Sequence, residues 1–217
     1  MKILTFSTLY PDSTRPGHGI FVENRLRHLI GDGDVQAHVV APVPWFPSTH
    51  PRFGDYAHYA RVPQLEVWHG VQVEHPRYLL MPKIGMSMAP VLMASAVKKT
   101  VRHILEHDLK FDLIDAHYFY PDGVAAAMIG RALRKPVVIT ARGTDLNLIP
   151  EYFWPRRMIQ WAAARSAAMI TVCQALKDVL VGMGVSDSRV TVLRNGVDLD
   201  RFRPVDPVEA RTRLDVR

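Results

Sequence analysis

The sequence is short of several things, and each shortage excludes something. Its 217 residues contain one cysteine, Cys173. That rules out an internal disulfide and any cysteine-based zinc site, and it suits a reducing, cytoplasmic setting. No apolar run approaches the roughly 20 residues needed to cross a bilayer. The apolar start, Met1 to Tyr10, is broken by Pro11 and Asp12 and has no small-residue cleavage site. It reads as a first buried strand and not as a signal peptide. Nucleotide fingerprints are missing as well. The six residues from Gly17 read G-H-G-I-F-V, which is not G-x-G-x-x-G, and no Gly-Lys-Ser/Thr loop occurs. No acidic residue ends the second strand run near Val43, which disfavours a nicotinamide-dependent reductase. There is no internal repeat and no low-complexity stretch.

What is present supports a sizeable core. Apolar residues make up 48% and charged residues 22%, proportions that argue against disorder. Lys and Arg total 27 against 21 Asp and Glu, a net charge of +6. The excess favours an anionic partner such as a nucleotide, a phosphate or an anionic lipid, although a merely basic enzyme would look the same. The basic residues read as scattered, in small clusters at 98–102, 131–135 and 156–157. No long basic tract or nucleic-acid motif accompanies them, so nucleic acid is not an expected partner.

Six apolar runs rich in β-branched residues recur: 2–8, 37–43, 113–117, 136–141, 169–173 and 190–193. Most are continuous and not alternating, as expected of strands buried on both faces of a parallel sheet. Helix-compatible stretches lie between them at 21–30, 90–106, 122–133, 155–164 and 175–183. The alternation predicts an α/β domain, a Rossmann-like parallel sheet with helices on both faces. The middle departs from it. Residues 42–90 carry eight prolines with aromatics between them, and 65–73 reads as a strand or hairpin interrupted at Gly70. This region is expected to be an insertion forming one wall of a cleft, or else a surface loop. At the end, Asp206 and Pro207 read as an N-cap and first helical position. The chain is expected to be a fragment cut just after a domain boundary, with residues 1–204 as one domain and 205–217 as the start of the next.

In open α/β sheets, ligands bind beyond the carboxyl ends of the strands. Five predicted strands are followed there by unusual residues. After the first come Gly17 and Gly19, in a loop entering a helix N-terminus, where backbone N–H groups and the helix dipole could meet a phosphate. The alternative is that they serve turn geometry alone. Further along come His117; Arg142, Gly143, Asp145 and Asn147; Cys173; and Asn195-Gly196. Each has a plainer reading. His117 could be a packed strand-end residue, Arg142 and Asp145 a surface pair or helix cap, and Asn195-Gly196 a turn.

Taken in order, these segments resemble the N-terminal domain of glycosyltransferase family 4, retaining enzymes of the two-domain GT-B fold. The resemblance rests on Tyr10-Pro11 with Gly17-x-Gly19-x-Phe21-Val22, and on Asp112 to His117 with Pro121-Asp122-Gly123. It continues through Val138 to Asp145, Thr171-Val172-Cys173, and Asn195 to Asp198 with Phe202 and Pro204. It implies transfer of a glycosyl group from a nucleotide-diphosphate sugar to an acceptor hydroxyl with retention, without a cofactor and without a metal. It also implies Gly17 and Gly19 near the donor diphosphate and His117 as the active-site histidine. Arg142, Gly143, Asp145, Asn147 and Asn195 would lie on the acceptor or cleft side. Two positions depart from the family pattern. Arg142 stands where histidine is common, which would suit an anionic acceptor. Cys173 stands where serine is common and is expected to be a small packed residue.

Most members bind the donor through a C-terminal E-x7-E motif. Glu66 and Glu74 have that spacing but fall in the proline-rich middle, and the match reads as accidental. The isolated chain is therefore expected to be inactive. Met81, Met86, Met88 and Met93, beside Arg77 and Lys83, suit either ordinary helix packing or a face for an anionic membrane or lipid-linked acceptor. The expected partners are thus a nucleotide sugar, an acceptor glycan or glycolipid, and the inner membrane face by peripheral contact. Two alternatives stand: a nucleotide-sugar epimerase of the same fold, and a non-catalytic module that binds a phosphate or sugar.

Overall fold

The continuous apolar runs become neighbouring strands of one sheet. The computed structural model describes residues 1–31, 33–54, 56–80, 85–199 and 202–215. Its strands are β1 (Lys2–Phe6), β2 (Gln36–Val40), β3 (Val43–Pro44), β4 (Leu65–Trp68), β5 (Val71–Glu74), β6 (Arg77–Tyr78), β7 (Leu113–His117), β8 (Val137–Ala141), β9 (Ala168–Thr171) and β10 (Val190–Val192). Eight of them form a sheet in the order β10-β9-β8-β7-β1-β2-β5-β4, and β3 pairs with β6 separately. Every pairing is parallel except that of the edge strand β4 with β5.

The helices are α1 (Ile20–Gly31), α2 (Tyr56–Arg61), α3 (Gly85–His103), α4 (Val124–Leu133), α5 (Thr144–Asn147), α6 (Phe153–Arg165), α7 (Gln174–Gly182) and α8 (Pro207–Arg213). Strand alternation divides the core between the two faces of the sheet. Leu4, Phe6, Ile114, Ala116 and Ile139 pack with residues of α3, α4, α6 and α7. Ile3, Val39 and Val73 pack with Val22 and Leu26 of α1 on the other face. Helices on both faces explain why the strands read as unbroken apolar runs.

Among the helix boundaries that differ from the sequence reading, two starts have a visible reason. α4 begins at Val124 and not at Asp122, because Asp122 is drawn away by the chain after β1. Its carboxylate accepts from the Thr8 N–H and, at 3.1 Å, from the Thr8 hydroxyl. α3 begins before Pro90 and carries it inside. A proline cannot donate to the carbonyl four residues back. The Met86 carbonyl left without that donor accepts instead from the Tyr120 hydroxyl.

The proline-rich middle holds β3, α2, the β4–β5 hairpin and β6. The hairpin turns at His69 and Gly70, both at positive φ, as a two-residue turn of primed type requires. The region backs the loop after β1: the Ser13 N–H donates to Glu66 at 3.2 Å, and Arg15 lies 5.4 Å from the Tyr59 ring centre. Glu66 and Glu74 are occupied locally, Glu66 by His75 at 2.8 Å and Glu74 by His38 at 3.3 Å. At the end of the chain, Asp206 caps α8 by accepting from the N–H groups of Val208 and Glu209.

Candidate functional site

The loop from β1 into α1 is pinned before it reaches its glycines. Ser7 donates to the His117 carbonyl at 3.1 Å, and Thr8 is held by Asp122. His18 donates through Nε2 to the Thr8 carbonyl at 3.0 Å. The two glycines then separate in role. Gly19 is buried at φ +66°, and a Cβ there would sit 2.2 Å from the Leu9 carbonyl carbon, so only glycine lets the chain pass. Gly17 is exposed, with open space around it, three residues before the first residue of α1. Steric need therefore accounts for Gly19, while Gly17 leaves backbone accessible at the helix entrance.

Next along the rim is His117, the last residue of β7, only 1% exposed. Its Nε2–H donates to Asp115 at 3.0 Å, and its Nδ1 accepts from the Arg142 guanidinium at 2.7 Å. These partners fix one neutral tautomer. Burial, reinforced by Arg142 and Arg25, outweighs Asp115 and holds the imidazole below its ordinary value. Burial alone would raise Asp115, but His117, Arg25 and Arg142 together keep its carboxyl below the usual range, so it stays ionised.

Arg142 ties the remaining pieces together. Its guanidinium reaches His117 with one nitrogen and Asn195 Oδ1 with another at 2.9 Å, and it lies 5.1 Å from the centre of the Phe21 ring. Burial, then the proximity of Arg25, lowers its pKa to about 10, which leaves it charged at neutral pH. Its Nε is buried and has no partner among the described residues. The Arg142 backbone is set by Asp145, whose carboxylate accepts from the N–H groups of Phe119 (2.6 Å), Arg142 (3.1 Å) and Gly143 (2.7 Å). Gly143, at φ +151°, makes the turn possible. Asp145 is thus fully buried and organises the loop from within. Asn147 is exposed at the end of α5 and stands apart from the network. Cys173 is half-buried at the N-terminus of α7.

Sequence reasoning missed the second layer of this cluster. Asp115 lies two residues before His117 on one strand, and a period of two puts both on the α1 face. Arg25 lies one helical turn after Phe21 and donates to Thr140 Oγ1 at 3.1 Å. Both periodicities were legible. The Tyr118 hydroxyl contact with Thr144, by contrast, joins two loops and had no signal in the sequence. Among the described residues, no three His, Cys, Asp or Glu side chains come together in a way that could hold a metal. No described helix is long and apolar enough to cross a membrane.

A mostly parallel sheet covered by helices on both faces, with polar loops, glycines and a buried ion network at its carboxyl ends, defines an α/β domain of the Rossmann-like, GT-B type. The chain belongs to glycosyltransferase family 4, whose model matches residues 17–201. A Bacillus subtilis (strain 168) protein, provisionally described as the teichuronic acid biosynthesis glycosyltransferase TuaC, is 31% identical over 207 residues, 94% of this chain and 51% of that protein. The fold matches Anabaena Alr3699/HepE, solved in complex with UDP, with a TM-score of 0.57 and 22% identity over 99% of this chain and 50% of that one. It also matches the UDP-GlcNAc 2-epimerase of Methanocaldococcus jannaschii, with a TM-score of 0.53 and 11% identity over 90% and 46% of the two chains. The chain spans about half the length of the relatives it matches.

Proposed function

We propose that these residues form the acceptor-side half of an enzyme that transfers a glycosyl group from a nucleotide-diphosphate sugar to an acceptor hydroxyl, with retained configuration. The observation that carries the reading is the Asp115–His117–Arg142–Asn195 chain on the carboxyl rim, buried at Asp115 and His117 and open to solvent at Asn195. It sets a neutral histidine and a charged guanidinium side by side where the ligand of such a fold binds. In this reading Gly17, with the α1 N-terminus held in place by Gly19, meets the diphosphate, and His117 lies against the reacting sugar. Arg142, Gly143, Asn147 and Asn195 line the acceptor side, and Asp145 holds their loop. The spare Arg142 Nε–H suits a carboxylate or phosphate on the acceptor, a glycan or glycolipid. The Bacillus relative, whose description names teichuronic acid biosynthesis, supports that preference.

Leaving-group charge would be met by N–H donors and cations, with no metal required. The working site would be cytoplasmic, at the inner membrane face. In transfer assays on the natural full-length protein, His117→Ala is expected to lower kcat by about 100-fold or more, with thermal unfolding measured alongside to separate chemistry from stability. Rates equal to wild type in a folded variant would sink the role given to His117. The likeness to solved epimerases keeps one rival in view. Interconversion of the nucleotide sugar without any acceptor would favour it.

A further inference from the structure

The positive charge of this chain is not spread over its surface. α3, α4 and α6 pack side by side on one face of the sheet. Together these three helices contain seven lysines and arginines and not one aspartate or glutamate. Setting those seven aside leaves 20 basic against 21 acidic residues in the rest of the chain. Most of the positive excess therefore resides in this helical layer, even with Glu106 and Asp108 of the turn that continues α3 (104–108) counted in, and all seven cations are exposed.

Helix electrostatics accounts for only part of this. Arg102, Arg131 and Arg165 sit in last turns, where the macrodipole favours cations. Arg156 and Arg157 sit in the first turns of α6, where it disfavours them, and Lys98 and Lys99 are inside α3. None of these four has an ion pair among the described residues. Their placement leaves them open to an anion outside the chain.

The same layer is apolar at its rim end. Phe153 is 67% exposed and Trp154 64%, with Met86, Met88 and Val91 of α3 also exposed. Between the helices runs a groove of about 910 Å³ whose walls include Met88, Met128, Trp154, Met158, Trp161 and Arg157. The methionine segment is thereby divided: Met93 is core, Met86 and Met88 face outward, and Met81 and Lys83 lie outside the described residues. An exposed Trp and Phe beside arginines, on three helices that carry no carboxylate themselves, match the chemistry of a bilayer interface.

We infer that the outer face of the α3–α4–α6 layer docks on an anionic lipid bilayer, with Phe153, Trp154, Met86 and Met88 entering the interface and the lysines and arginines resting on the headgroups. This deepens the proposed function by naming the surface at which it works. It also sets the candidate site beside the lipid, since Tyr120, three residues after His117, reaches both Met86 and Met158.

The test is co-sedimentation of the natural full-length protein with vesicles of phosphatidylcholine alone and of phosphatidylcholine mixed with phosphatidylglycerol. Binding is expected to be at least about tenfold stronger to the mixed vesicles. The pair Lys98→Glu with Lys99→Glu should abolish that preference, whereas Arg211→Glu on α8 should leave it intact. Phe153→Ser with Trp154→Ser should weaken binding with circular dichroism unchanged. Equal affinity for both vesicles, or no binding at all, would overturn the inference, the latter pointing to a protein partner on this face. Binding that follows charge but ignores Phe153 and Trp154 would also overturn it, as simple polyanion adsorption. Transfer to a water-soluble acceptor should survive the Lys98 and Lys99 changes, so a failure of docking and a failure of the transferase reading are separable.

Discussion

Asp122 shows how one buried carboxyl can shape behaviour without touching a substrate. Burial, opposed by the Thr8 hydrogen bonds and helped by the Asp145 carboxylate, pushes it from 3.8 up to about 7. The folded chain therefore prefers the protonated acid, while the unfolded chain ionises near the ordinary value. The contribution of this group to stability is full at acidic pH and is lost as pH rises toward about 7, a loss on the order of a few kcal/mol at most. Asp122→Asn can keep both Thr8 contacts, accepting from the N–H and donating to the hydroxyl. Chemical denaturation from about pH 5 to about pH 8 should show a decline for wild type and a flatter profile for the variant. Parallel profiles would mean that Asp122 stays ionised. Residue-level reading of the sequence found His117, Arg142 and Asn195, which the structure joins, and left Asp145 as a surface pair, a helix cap or a cleft residue; its carboxylate turns to the loop's own N–H groups. An aspartate in the first turn of a short helix advertises hydrogen bonding, and sequence does not say whether the partners are the loop's own amides or a substrate.

At the scale of elements, the strand positions were largely legible because buried parallel strands leave continuous apolar runs. Helix starts were less so, because they depend on distant partners. Pro90 looks like a helix beginning, yet α3 extends five residues before it, and the orphaned Met86 carbonyl is met by Tyr120 from another loop. This arrangement is testable by a double-mutant cycle. Tyr120→Phe should cost roughly 1–2 kcal/mol by leaving that carbonyl unsatisfied. In a Pro90→Ala background, where the helix supplies its own N–H donor, the same change should cost measurably less. Equal costs in both backgrounds would show that Tyr120 does not stand in for the missing donor.

For the whole molecule, the sequence reading understated organisation. Charges that look scattered along the chain fall on one layer because α3, α4 and α6 are crossover helices on the same face of the sheet. That follows from topology and not from local pattern. The candidate site has a similar reach: Arg142 joins the end of β7 to Asn195, on the segment that leaves β10. With relatives about twice as long, the 217 residues alone are expected to show no detectable glycosyl transfer under conditions in which the natural full-length protein turns over. Robust turnover by the shorter chain would overturn the half-enzyme reading.

The one-sided charge has a kinetic consequence. Collecting the surplus on one layer gives the domain a permanent dipole, so a negatively charged plane exerts a torque on it as well as a pull. Within a Debye length, about 8 Å at physiological ionic strength, that torque would turn the basic layer toward the plane before contact. Encounters would then begin already oriented, and the fraction that are productive would fall as added salt shortens the distance over which the turning acts.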